Sequence, residues 1–183
     1  MTEAELVNLL AHEFFHNYRE SNYEDDSRDS FVKVFNLFQN KGIADLIDKE
    51  ESKEKETYAA FKEKWMEMYE QAYGNTPATL SKIDSLVKVY ETNPSKEDLT
   101  PGGEYIPLAD LVVFNGHPVG LYMTRLIREE GLFHPLIRNF DNPIKFIQLY
   151  NRAARKHNRT SSSQEYVLSQ KLIKHVKKQQ CKY

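Results

Sequence analysis

Glycine and proline are scarce in this chain, seven of each among 183 residues, and that scarcity narrows the fold more than any other feature. All-β and dinucleotide-binding α/β chains of this length use more turn glycines. Apolar residues also recur three and four positions apart far more often than two. The sequence therefore predicts a mainly α protein, a single-domain multi-helix bundle of about seven or eight helices. The length supports one domain, large enough to bury a core.

The helical segments can be placed with some detail. A first helix is expected from Thr2, an N-cap with Glu5 three residues on, to Tyr18. A second covers Phe31 to Phe38, breaks near Asn40-Lys41-Gly42, and resumes through Ile43 and Ile47. Tyr58 to Tyr73 follows, with Phe61, Trp65, Met68 and Tyr69 on one face that reads as core. Leu80–Tyr90, Pro118–Glu130 and Asn142–Lys156 are further helices, the last with Pro143 in its first turn. Asn93 to Pro107 reads as a long loop, with Tyr105-Ile106 as a short strand or lid.

Charge is uneven. Residues 152–183 hold nine Lys or Arg against the single acid Glu165, while the rest of the chain is acidic. The boundary suggests a helical domain over residues 1–158 and a basic hinge and helix over 159–183, docking on it through Val167, Ile173 and Val176. No nucleic-acid motif accompanies the basic tail, so a nucleic-acid partner is not expected. Mean hydropathy is −0.67 and no apolar run approaches a membrane span. The residues after Met1 are acidic rather than basic, and Cys181 is the only cysteine. Together these give the expectation of a cytoplasmic protein with no disulfide framework.

One motif carries chemistry. His12-Glu13-Phe14-Phe15-His16 has the spacing His-Glu-x-x-His. On a helix the two histidines fall one turn apart on one face, where both imidazoles reach a single Zn²⁺. The intervening glutamate projects beside them as a base for a zinc-activated water. Leu6, Leu9, Leu10 and Ala11 predict that this helix is largely buried and central to the bundle. With six histidines in the chain, chance would produce the pattern in about one such sequence in fifty.

Downstream stands Gln39-Asn40-Lys41-Gly42-Ile43-Ala44-Asp45. With the His-Glu-x-x-His segment it resembles the gluzincin metallopeptidases, thermolysin-like enzymes in which a second helix carries Asn-Glu-x-x-x-Asp. Residues 116–123 (Gly-His-Pro-Val-Gly-Leu-Tyr-Met) and Pro143…Tyr150-Asn151-Arg152-Ala153-Ala154 extend the resemblance to a poorly characterised bacterial group of predicted zinc-dependent peptidases. It spans about residues 5–155. The resemblance implies that His12 and His16 bind zinc, that Glu13 is the general base, and that Asp45 orients a histidine from the second shell. It further implies that His117 or Tyr122 donates to an oxyanion, and that the partner is a peptide or protein.

Two departures qualify that implication. The family's third ligand is a glutamate where this chain has Lys41, an ammonium that repels a metal. Gluzincins also place a β-sheet before the histidine helix, whereas eleven residues precede His12. A fragment, a reduced relative or a lost sheet would each account for that. Glu20, Glu24, Asp25, Asp26 and Asp45 are the residues that could replace the ligand. The alternative is a metal-free pseudoenzyme acting as a protein-interaction module. There His12 and His16 hydrogen-bond around Glu13, and Lys41 sits within salt-bridge reach of Glu13 or Asp45. His134, His157 and His175 show no mutual spacing and read as ordinary residues.

Overall fold

The computed structural model describes residues 3–22, 27–48, 61–92, 99 and 105–180. Among these residues it is mainly helical, with nine α-helices and one 3₁₀ turn. In order they are α1 (Glu3–Asn22), α2 (Ser30–Asp48), α3 (Phe61–Gly74), α4 (Thr76–Glu91), α5 (Ile106–Ala109), a 3₁₀ turn (Val113–Gly116), α6 (His117–Glu129), α7 (Phe133–Ile137), α8 (Pro143–Thr160) and α9 (Gln170–Gln180). The expected helix over residues 58–60 and most of the 93–104 loop lie outside the described residues. At the loop's end, Tyr105 makes a single bridge to Leu99 and leads directly into α5.

The centre of the bundle is α2. Phe31, Val32, Phe35, Phe38, Ile43 and Ala44 are all buried, so the helix is apolar on most of its circumference, as an enclosed helix must be. Its N-terminus is capped by Asp29, whose Oδ1 accepts from the amides of Phe31 at 3.0 Å and Val32 at 3.1 Å. The helix does not break at Asn40-Lys41-Gly42. Gly42 serves instead to let α6 approach. A Cβ on Gly42 would stand 2.2 Å from the carbonyl oxygen of Gly120, and one on Gly120 would stand 2.4 Å from that of Phe38. Backbone meets backbone there, and the Thr124 hydroxyl lies 3.1 Å from the Gly42 carbonyl oxygen.

Helix α1 lies along α2 by a narrow face. His12 and Arg19 are buried, while Leu6, Leu9, Leu10 and Phe14 are exposed, so the expectation of a largely buried first helix does not hold. Polar anchoring supplements the packing of Phe15, an α1 side chain that meets the core. The Arg19 guanidinium bonds the Asn36 side chain and the Phe140 carbonyl oxygen, and Gln39 Nε2 donates to the Asn139 carbonyl oxygen at 2.5 Å. The α3 face also departs from a core: Tyr69 is buried, but Trp65 is 42% and Met68 51% exposed.

The C-terminal helix is fastened by a charge cluster. His175, 4% exposed, donates from Nε2 to Asp29 at 2.9 Å and from Nδ1 to Glu91 at 3.2 Å. Lys171 adds a 3.1 Å ion pair to Glu91. Burial alone would lower the His175 pKa, but the hydrogen bonds and charges of Asp29 and Glu91 outweigh it and raise the value above 6.5. This histidine therefore ties α9 and α4 to the cap of the central helix.

Two outcomes test this packing. Gly120→Ala should lower unfolding free energy by about 3 kcal/mol in urea denaturation, because the intruding methyl meets backbone that cannot yield. A loss below about 0.5 kcal/mol would mean that the helices separate freely. For His175 the raised pKa fixes the sign. Its contribution is complete below the unfolded pKa and fades as pH rises through the folded one. The melting-temperature gap between wild type and His175→Gln should thus be larger at about pH 6 than at about pH 8.5. A gap that widens with pH would contradict the clasp.

Candidate functional site

The α2–α6 contact delivers the site. One turn beyond Gly42 on α2 is Asp45, and one turn before Gly120 on α6 is His117. They meet: His117 Nδ1 lies 2.9 Å from both Asp45 oxygens. Asp45 is fully buried, and a buried carboxylate needs such partners. The Tyr69 hydroxyl of α3 donates to Asp45 Oδ2 at 3.4 Å, and His12 Nδ1 of α1 stands 3.9 Å from Oδ1. One carboxylate therefore gathers side chains from α1, α3 and α6.

The histidine pair sits against this hub. His12 and His16 bring their Nε2 atoms to 3.0 Å from one another, with the rings nearly perpendicular at 83°. His16 Nδ1 donates to Asn40 Oδ1 at 3.0 Å. That bond leaves the lone pair of a neutral His16 on Nε2, so His12 Nε2–H is the donor between the rings. Burial lowers the His16 pKa below 6.5, helped by the positive charges of Lys41 and His12 and opposed by the Asn40 bond and the charge of Glu13. His16 is thus a neutral acceptor at neutral pH.

The remaining expected residues are placed as follows. Glu13 is exposed on the solvent side of α1, close enough for its charge to act on His16. The histidines bond each other rather than Glu13. Lys41 is half-buried and acts on His16 electrostatically. It forms no ion pair with Glu13 or Asp45, because the Asp45 oxygens are turned to His117 and Tyr69. Tyr122 is not brought to His117. It points to another side of α6, where its hydroxyl donates to Glu165 at 2.5 Å and its ring meets Tyr73. Burial and the Glu165 carboxylate push its pKa up. Glu20 is exposed on α1, and 24–26 lie outside the described residues. Among the described residues no group of three or more His, Cys, Asp or Glu side chains gathers in a way that could hold a metal ion.

Sequence reasoning missed the Asp45–His117 pair and Tyr69. Seventy-two residues separate the first two, and only the Gly42–Gly120 approach joins them. The signal for that approach is two glycines inside otherwise helical patterns, of which Gly42 reads from sequence as a break and Gly120 as part of its helix.

Comparison with protein families gives a match over most of the chain. Residues 1–159 fit the sequence profile of a family described as putative zinc dependent peptidase, DUF5700. The match stops before α9. No curated protein and no solved structure matches the chain. No helix among the described residues is long and apolar enough to cross a membrane.

Removing the hub should be costly while removing the exposed glutamate should not. Asp45→Ala strips a buried carboxylate from His117 and should destabilise by about 3 kcal/mol. Glu13→Gln should stay within about 0.5 kcal/mol of wild type. Equal losses in urea denaturation would contradict the burial pattern.

Proposed function

We propose, for a chain that belongs to the putative zinc dependent peptidase family over residues 1–159, that it acts on peptides as a degenerate zinc peptidase with a two-histidine half-site. The observation that carries this reading is the inward-facing Nε2 pair, with His16 Nδ1 held by Asn40 and His12 Nδ1 facing Asp45. Metal-binding histidines characteristically turn their second nitrogen to an oxygen acceptor in this way.

The donor set fits zinc in part. The two histidine Nε2 atoms stand 3.0 Å apart, close enough for both imidazoles to face one ion. His12 and His16 would hold the ion. The third protein ligand of a catalytic site is not supplied by the described residues, and position 41 offers an ammonium in its place. A bound zinc ion would supply Lewis acidity toward a peptide carbonyl.

The chain's own groups have defined parts in this reading. His12 and His16 share a proton on the line between their Nε2 atoms, and that proton must leave before both lone pairs can serve a metal. Asn40 fixes the His16 tautomer. Asp45 holds His117 and stands 3.9 Å from His12 Nδ1. Glu13 is an exposed carboxylate beside the pair and accepts the proton of the attacking water. Lys41 weakens cation binding by its charge, so the reading expects low zinc affinity and slow hydrolysis.

A second reading, a metal-free peptide-binding pseudoenzyme, is favoured by Lys41 itself. Zinc titration with calorimetric and melting-temperature readouts separates the two. The half-site predicts weak stoichiometric zinc binding, abolished in the His12→Ala/His16→Ala double variant and weakened as pH falls. Lys41→Glu should enlarge the zinc-induced rise in melting temperature, because a metal bound only to the native state stabilises it by mass action. No zinc binding in wild type would remove the peptidase reading. A zinc response in Lys41→Glu no larger than in wild type would mean that position 41 is not the lost ligand.

A further inference from the structure

A cavity of about 280 Å³ opens beside the histidine cluster, lined by Trp65, Tyr69, Phe114 and His117. Trp65 lies over Tyr69 with ring centroids 5.4 Å apart and planes 28° from parallel. Phe114 stands edge-on to Trp65, also at 5.4 Å. The three rings thus form one continuous apolar wall, with His117 as the polar group at its margin.

This wall is coupled to the candidate site. Both Tyr69 and His117 bond Asp45, and the His117 ring runs parallel to the His12 ring at 10°, with centroids 6.3 Å apart. A group seated against the aromatic wall is therefore one ring away from the histidine pair. The backbone that presents Phe114 is held in an unusual conformation. Phe114, Asn115 and Gly116 are three successive left-handed residues, with φ of 50°, 52° and 77°. Phenylalanine adopts that region rarely, and strain of this kind is kept where surrounding structure holds a residue for a purpose. Gly116 is required at the turn's end, since a Cβ there would stand 2.9 Å from the Phe38 ring.

We propose that this cavity is a side-chain pocket that takes an apolar or aromatic side chain of a bound peptide, whose backbone then crosses His117 toward His12 and His16. The proposal rests on the reading that the cleft receives peptides, and it names the side chain that the cleft selects. The aromatic wall gains by covering hydrocarbon. An acidic side chain placed there would approach the buried Asp45 carboxylate behind Tyr69 and His117, and would be repelled. Unlike the histidine pair, the pocket needs no metal to bind.

Trp65 is the only tryptophan of the chain, so its fluorescence reports the pocket directly. The full chain is titrated in EDTA with capped tripeptides, acetyl-Ala-X-Ala-amide, in which X is leucine, lysine or aspartate. The leucine peptide should give a saturable blue shift, with lysine and aspartate peptides binding about tenfold or more weakly. Phe114→Asn keeps a residue suited to the left-handed backbone and removes the ring, and it should weaken the leucine peptide about tenfold. Val89→Ser, at the far end of α4 from α3, should leave binding unchanged. Equal affinity for the three peptides in wild type overturns the pocket without reliance on any variant. So does a preference that survives Phe114→Asn in a protein of unchanged helicity. Zinc bound at the histidine pair without leucine preference would leave the metal reading standing and the pocket refuted. Leucine preference without zinc binding would do the reverse.

Discussion

A close approach, backbone on backbone at Gly42 and Gly120, sets the Asp45–His117 contact around which the candidate site is built. Any side chain at either position would drive into a carbonyl oxygen, 2.2 Å away in one case and 2.4 Å in the other. Because the helices meet so closely, groups one turn away come within hydrogen-bond range. That is how Asp45 of α2 reaches His117 at the start of α6. Thr124, one turn along α6 in the other direction, has its hydroxyl 3.1 Å from the Gly42 carbonyl oxygen and 3.0 Å from those of Gly120 and Leu121.

Asp45 then organises the chemistry. A carboxylate with no exposure cannot be solvated, so its protein partners carry its charge. Among the described residues those partners include His117 and Tyr69, with His12 at the edge of range. The consequence is a graded arrangement across three histidines. His117 donates to Asp45, His12 lies between Asp45 and His16, and His16 is turned by Asn40 so that its lone pair faces His12. A proton between two inward-facing imidazole nitrogens joins His12 to His16. The charge of Lys41 adds to burial in lowering the His16 pKa and so favours the neutral ring.

Much of this was legible in the sequence, for reasons that are local. Scarce glycine and proline with helical apolar spacing gave the mainly α fold, and Asn142-Pro143 marked a helix start, where the Asn142 side chain accepts from the Lys145 amide at 3.0 Å. The His-Glu-x-x-His spacing placed two imidazoles on one face. Long-range facts were not legible. Leu6, Leu9 and Leu10 have the pattern of a buried face, but α1 is held by Arg19 and the histidines, which no periodicity encodes. Trp65 shares the spacing of its core neighbours, yet it stands at a cavity mouth because Phe114 is brought against it by a left-handed turn. His175 looked ordinary since its two carboxylates come from positions 29 and 91.

The central claim is that the Nε2 atoms of His12 and His16 face one another and are jointly available to a proton or a metal ion. Long-range ¹H–¹⁵N correlation spectra of the histidine rings read this directly, because the nitrogen shifts distinguish protonated, lone-pair and metal-bound nitrogens. The account predicts that without metal His16 carries its proton on Nδ1. On addition of zinc, the Nε2 resonances of His12 and His16 should move together while those of His134 stay fixed. A His16 proton on Nε2, or zinc-induced shifts that spare both rings, would contradict it.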